Sequence, residues 1–308
     1  MSAALAPSDG GIRRDLGIAL LHTSQNTAAR KELEEAVHLI PKDPDAWFYC
    51  GIARGRIGKE NDAANALRQA LKLNPNHAAA LLDLGKLDAI AMGHYPTPPR
   101  WLTNEALSSL RRCVKLQPTD PETWYSLALA EGAAKQTKQS ILDMSRSIQL
   151  KGDVGGAWIY RAEQREVAGE PDAEVESDAK RGLALDPNNS TGWAIVGRVE
   201  ARAGKLNEAI SSFTRAIQFS PTRLLSKDSL YRRAQAELQL GQKTAGNRDM
   251  NERARLDQLE AHIRALVVSP RPGDATYYQQ LAQLYAAAGD HGLEARARRA
   301  AAELGKRQ

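Results

Sequence analysis

Metal or nucleophile chemistry in this chain would have to come from six histidines and two cysteines, and their spacing assembles neither. A zinc site on a helix needs two imidazoles one turn apart, as in H-x-x-x-H or H-E-x-x-H, so that both nitrogens reach one ion. His22, His38, His77, His94, His262 and His291 show no such pair. Cys50 and Cys113 are too few for the usual zinc cage, and both fall at apolar positions, which predicts free core thiols rather than a disulfide. A phosphate-cradling loop needs G-x-x-x-x-G-K-[ST], because backbone amides must surround the phosphate and a hydroxyl must reach magnesium. Around Gly58-Lys59-Glu60 the first glycine is replaced by Ala53 and the hydroxyl by Glu60. Gly152-Asp153-Val154-Gly155-Gly156 is rich in glycine, but no strand precedes it as a dinucleotide fingerprint requires. No nucleophile elbow is present. The sequence therefore implies no catalytic residue, no cofactor and no metal, and the protein is expected not to be an enzyme.

With site chemistry set aside, pattern becomes the signal. The chain has 308 residues, of which 42% are hydrophobic and 26% charged, enough for a large core. Aromatics make up only 5%, no run alternates β-branched residues, and the common residues are good helix formers. The stretch from Ser190 to Arg223 shows the organisation. Gly197 and Ala209 are small residues placed where two antiparallel helices would cross, letting the backbones approach. Trp193, Val196, Phe213 and Ile217 fill the flanking space, Gly204 falls in the turn, and Pro221 stops the second helix.

The pattern recurs. Gly17 and Gly51 are 34 residues apart, as are Pro41 and Pro75. Leu16, Leu20, Ala29, Leu33 and Ala36 fill the first copy, and Trp47, Gly58, Ala63, Leu67 and Ala70 the second. These residues and this period resemble the tetratricopeptide repeat family. Looser copies follow on Leu81, Gly85, Ala106 and Pro118; on Trp124, Ala128 and Met144; on Trp158, Ala162, Ala179 and Pro187; on Leu230, Ala234 and Gly241; and on Tyr278, Ala282 and Gly289. The resemblance implies an all-α fold, a right-handed superhelix (α-α solenoid) of about eight helix-turn-helix repeats. A disordered segment at 1–9 is expected to precede a single solenoid over 10–308. Its repeats are placed at about 10–43, 44–77, 78–120, 121–154, 155–189, 190–223, 227–268 and 274–308.

Three departures stand out. Residues 93–102 interrupt the third copy with Pro96, Pro98 and Pro99, predicting a stiff projecting loop or one whose Tyr95 and Trp101 fold back onto the helices. The second helix of the seventh copy runs on through Leu256, Leu259, Ile263 and Leu266 to about Val268, nearly twice the usual length. Gly182 replaces the usual alanine in the fifth copy, where it predicts a weak, mobile helix.

Membership of this family implies that the first helices line a concave groove. Carried over position by position, the groove residues are Phe48, Tyr49 and Ile52; Leu82, Asp83 and Lys86; Tyr125 and Leu129; Tyr160 and Glu163; and Arg198 and Arg202. Aromatic anchors with a few charges suit an extended peptide or amphipathic helix. Adjacent Phe48 and Tyr49 cannot both lie on one helical stripe, so one of them must turn elsewhere. The family's carboxylate clamp for chaperone tails is not matched, since its positions hold residues such as Ile52, Asp83 and Tyr125. The implied function is a non-enzymatic scaffold or adaptor for a protein or peptide partner, or alternatively a regulatory or substrate-recognition subunit of a separately encoded enzyme.

The formal charge of +5 is carried from Arg223 onward, where 15 Lys and Arg stand against 10 Asp and Glu. A solvated helical face explains this better than a nucleic-acid site, whose affinity would fall steeply with salt. No segment is long and apolar enough to span a membrane, so a cytoplasmic location is expected. Ala4-Leu5-Ala6 resembles the end of a cleaved signal, and a longer native start would make the protein periplasmic or exported.

Overall fold

The computed structural model describes residues 9–93, 95 and 97–305, and all regular structure among them is helical. Residues 1–8 of the segment expected to be disordered lie outside this range. Asp9 does not belong to such a segment, because its carboxylate accepts from the N–H groups of Gly11 (2.8 Å) and Ile12 (3.1 Å) and caps the first helix. The chain divides into two compact units, residues 1–152 and 153–308.

The first unit holds four helix pairs: α1 (Gly10–His22) with α2 (Asn26–Leu39), α3 (Pro44–Arg56) with α4 (Glu60–Leu73), α5 (Ala78–Met92) with α6 (Arg100–Leu116), and α7 (Pro121–Ala133) with α8 (Thr137–Leu150). The first helix of each pair starts at a side-chain acceptor. Asp43 and Asp120 satisfy the free N–H groups of α3 and α7, and each is followed by a proline at the one helical position where a missing N–H costs nothing. His77 caps α5 through Nδ1, which accepts from Ala80 N at 3.2 Å, so Nε2 carries the proton and donates to Asp45 at 3.1 Å.

The pairs close because small residues sit at the crossings. A Cβ on Gly85 would lie 2.4 Å from Leu110 Cγ, well inside contact distance. The recurring tryptophans and prolines are linked directly. The indole N–H of Trp47 donates to the carbonyl of Pro41, and that of Trp124 to Pro118, each at 2.9 Å, tying a first helix to the end of the preceding pair. Both cysteines are free and fully buried, and burial pushes each thiol up to about 11, leaving them as inert core residues.

Tyr95, between α5 and α6, and Trp101, in the first turn of α6, are both exposed, so neither ring is buried against the helices. His94 and Pro96 fall outside the described residues.

The second unit repeats the scheme with α9 (Gly155–Ala168) and α10 (Asp172–Leu185), α11 (Ser190–Arg202) and α12 (Leu206–Gln218), α13 (Lys227–Gln239) and α14 (Lys243–Val268), and α15 (Ala275–Ala288) and α16 (His291–Gly305). Trp193 again donates to a proline carbonyl, Pro187 O, at 2.8 Å. The long helix α14 buries Leu256 and Leu259 with Ala288 and Leu284 of α15, which is why the extra turns are helical. Gly182 has a packing role that the sequence reading took for a weakness. A Cβ there would come within 2.5 Å of Ile159 Cγ1 and 2.9 Å of the Gly155 carbonyl, so glycine is what lets α9 and α10 close.

Candidate functional site

In the first unit the first helices α3, α5 and α7 carry eight of the residues expected in the groove, and they are not equivalent. Phe48 is a correction. It is 9% exposed and packs with Leu67, Ala70, Ala80 and Leu84, its ring edge-on to Tyr49 at 4.9 Å and 4.8 Å from His77. It joins α3 to α4 and α5 and is a core residue. The next residue along the helix, Tyr49, remains half-buried, as does Ile52, and both flank the same core.

Farther along, α5 and α7 border an open pocket of about 350 Å³ lined by Lys86, Ala89, Ile90, Glu122, Tyr125, Ser126 and Leu129. Three of the expected residues, Lys86, Tyr125 and Leu129, are brought together here. Ile90 is 58% exposed, an apolar side chain held out at the wall. Lys86 Nζ donates to Glu122, so the cation and anion on the lining neutralise each other. Burial raises the Tyr125 phenol and the Asp83 carboxyl above their ordinary values, with Lys86 opposing the shift at Asp83. Leu82 packs instead toward the cluster of Leu107, Leu110 and Leu127. Sequence reasoning missed Ala89, Ile90, Glu122 and Ser126. The signal was available, because Ile90 lies one helical turn beyond Lys86 on the same stripe and Glu122 lies one turn before Tyr125 and Ser126.

In the second unit the two expected arginines are bound up in ion pairs. Arg198 forks onto Glu166, its Nε lying 3.0 Å from both oxygens and its Nη2 2.6 Å from one. Arg202 donates to Glu166 at 2.8 Å and to Asp172 at 2.7 Å. Burial alone would raise the Glu166 carboxyl, but these hydrogen bonds and charges outweigh it and hold the group below its ordinary value. Arg198 and Arg202 thus brace α11 against α9 and α10. Tyr160 and Glu163 are half-buried on α9. The basic residues beyond Arg223 are also largely met by acids: Arg233 reaches Asp249 at 2.6 Å, Lys227 reaches Asp257 at 2.8 Å, and Arg298 reaches Glu294 at 2.7 Å. This supports the reading of that face as solvated and ion-paired.

Helix pairs of this kind, with small residues at each crossing and Trp–Pro ties between pairs, coincide with a direct match of the tetratricopeptide repeat family to residues 51–87. Residues 51–87 carry a tetratricopeptide repeat, and the paired helices have the fold of tetratricopeptide-repeat proteins. It is 26% identical over 195 residues to the peroxisomal targeting signal receptor of Eremothecium gossypii, covering 61% of this chain and 31% of that one. The repeat protein therefore spans under a third of that relative's length. Its fold is similar to that of pilF from Pseudomonas aeruginosa (TM-score 0.56, 16% identity, 69% of this chain and 92% of that one). It is also similar to YrrB, described as a TPR protein with an unusual peptide-binding site (TM-score 0.51, 15% identity, 64% and 96%). Among the described residues of the repeat protein, no helix is long and apolar enough to cross a membrane.

Proposed function

We propose that the face made by α3, α5 and α7 receives a peptide or helix of a partner protein, and that the chain acts as a non-catalytic scaffold or adaptor. The pocket between α5 and α7 carries this reading. Its volume of about 350 Å³ falls within the range of roughly 300–1,000 Å³ found for ligand sites, and its lining is dominated by Ala89, Ile90, Tyr125 and Leu129. An apolar anchor from the partner would displace water from this surface, while the Lys86–Glu122 pair offers polar groups to fix register. The named roles of two similar proteins, receptor for a targeting signal and holder of a peptide-binding site, support the same class of function. The ion-paired arginines of the second unit have no free donor fork to offer without breaking contacts worth keeping, so the first unit is the preferred face.

The test is affinity capture from a lysate of the source cell, comparing the native chain with a Tyr125→Ala, Leu129→Ala double variant of unchanged helicity. Loss of the captured protein from the variant supports the site. An unchanged catch refutes it. Capture of an enzyme would identify the chain as that enzyme's recognition or regulatory subunit.

A further inference from the structure

The two helices that wall the pocket each also bury an acid that lacks an adequate counter-charge. Asp88 on α5 and Glu131 on α7 occupy equivalent places, three residues beyond Gly85 and Ala128, and are 3% and 1% exposed. One arginine from the preceding pair approaches each. Arg68 lies 3.5 Å from Asp88, but its fork is already closed on Glu105 at 2.7 and 2.8 Å. Arg111 reaches Glu131 Oε1 at 3.2 Å and shares the same nitrogen with Gln136 at 3.1 Å. The second oxygens, Asp88 Oδ2 and Glu131 Oε2, are buried and accept no hydrogen bond. Beside Glu131 stands a further buried acid, Asp143 of α8, whose partner is the neutral amide of Gln139 at 3.0 Å.

In two other repeats an arginine of the first helix neutralises a buried acid of the second. In the fifth, Arg161 forks onto the buried Asp178 at 2.7 and 2.6 Å, and in the seventh Arg233 reaches the buried Asp249 at 2.6 Å. Both arginines sit one residue before the crossing residue, Ala162 or Ala234. The same place in the third and fourth repeats is Leu84 and Leu127, so neither α5 nor α7 carries an arginine of its own; even beside Arg233, the equivalent acid of the seventh repeat, Glu237, is 5% exposed with its Oε2 unbonded. Burying a carboxylate without a full partner is unfavourable, and protonation is the less costly state.

We propose that Asp88 and Glu131 keep their protons in the folded protein through mildly acidic pH and release them around neutrality, so that α5 and α7 are seated by two protons and loosen as the pH rises. The proton on Glu131 lets one carboxyl donate to the other across the Glu131–Asp143 contact, in place of two facing anions. The charged groups around Asp88 are Arg68 on α4 and Glu105 on α6; around Glu131 they are Arg111 and Lys115 on α6 and Asp143 on α8. Lys86 of α5 and Glu122 of α7 are engaged with each other. Burial, helped by the Glu105 charge, pushes Asp88 up to about 7, and burial with Asp143 likewise lifts Glu131 well above the carboxylate range. The unfolded chain loses these protons near pH 4, whereas the fold keeps them to about 7. Stability from the two groups is therefore complete in acid and is lost as the pH climbs through that interval.

The experiment needs no peptide. Carboxyl carbons of the full-length protein are followed by NMR from pH 4 to 9, and amide exchange of residues 78–92 and 121–133 is measured at pH 5.5 and 8.5 after correction for intrinsic rates. The Asp88 and Glu131 carbons should titrate near neutrality. Protection of α5 and α7 should fall by at least about tenfold, the factor that one pH unit of displacement corresponds to. Glu131→Gln should remove the change in α7 and Asp88→Asn that in α5. Carbons that titrate near 4, or protection that ignores pH, overturn the proposal. Should either variant fail to fold, the titration of the native carboxyls decides alone.

Discussion

Replacing Phe48 by alanine separates the two roles this residue can have. As a groove residue it would be lost with little effect on stability; as the core residue the structure shows, it leaves a hole between α3, α4 and α5. At 9% exposed, almost the whole ring is removed from contact with Leu67, Ala70, Ala80 and Leu84, together with an edge-on contact to Tyr49. Truncations of buried phenylalanine cost about 3–5 kcal/mol. The ring lies near the edge of its cluster, where Tyr49 and Ile52 can partly close the gap, which puts the expected loss at about 3 kcal/mol. Urea unfolding followed by helicity, with amide exchange over residues 44–92 to localise the effect, measures it. Tyr125→Ala, at a half-buried position on the pocket, should cost about 1 kcal/mol in the same assay. If Phe48→Ala unfolds with the native midpoint while Tyr125→Ala does not, the assignment of Phe48 to the core is wrong and it belongs to the binding face.

Two turn positions test the backbone reading. Gly204 has φ +72° with nothing within 4 Å of an added Cβ, so Gly204→Ala should destabilise by about 1 kcal/mol through conformation alone. Lys135 holds φ +60° in the corresponding turn of the fourth pair, and Lys135→Gly should stabilise by roughly 0.5 kcal/mol in the same unfolding assay. Glu166 gives an acid limb of opposite sense to that of Asp88 and Glu131. Its folded carboxyl lies below the ordinary 4.5, so its contribution is present above that pH and is lost as the pH falls through the folded value. Thermal melts between pH 2.5 and 6 should show this limb flattened in Glu166→Gln; an unchanged slope would mean that the Arg198 and Arg202 contacts carry no such coupling.

Much of the pairing was legible because it depends on local rules. Gly85 and Gly197 marked crossings, and a Cβ at Gly197 would indeed meet the Phe213 ring at 2.8 Å. Gly58 and Gly204 marked turns that need positive φ. The recurrence of tryptophan and proline six residues apart was visible, although the indole-to-carbonyl bond that explains it was not. Within the site, Lys86, Tyr125 and Leu129 followed from register alone, since residues at helical spacing must share a stripe.

What the amino-acid order could not settle was the direction of each side chain within that stripe and the company it keeps. Phe48 and Tyr49 are neighbours of similar character, and only the seating of α3 on α5 decides that the phenylalanine is buried. Gly182 looks like a weak point until Ile159 and the Gly155 carbonyl are found against it. Arg198 and Arg202 look like free cations until Glu166 and Asp172 are brought within 3 Å. Asp88 and Glu131 look like ordinary surface acids, and only the packing of α5 and α7 shows them buried with one carboxylate oxygen each unbonded. The sequence by itself determined the helices, their turns and their crossings, because these depend on residues within one repeat. The tertiary structure decided which groups remain available, because burial and charge pairing depend on neighbours that lie as far as 37 residues away along the chain.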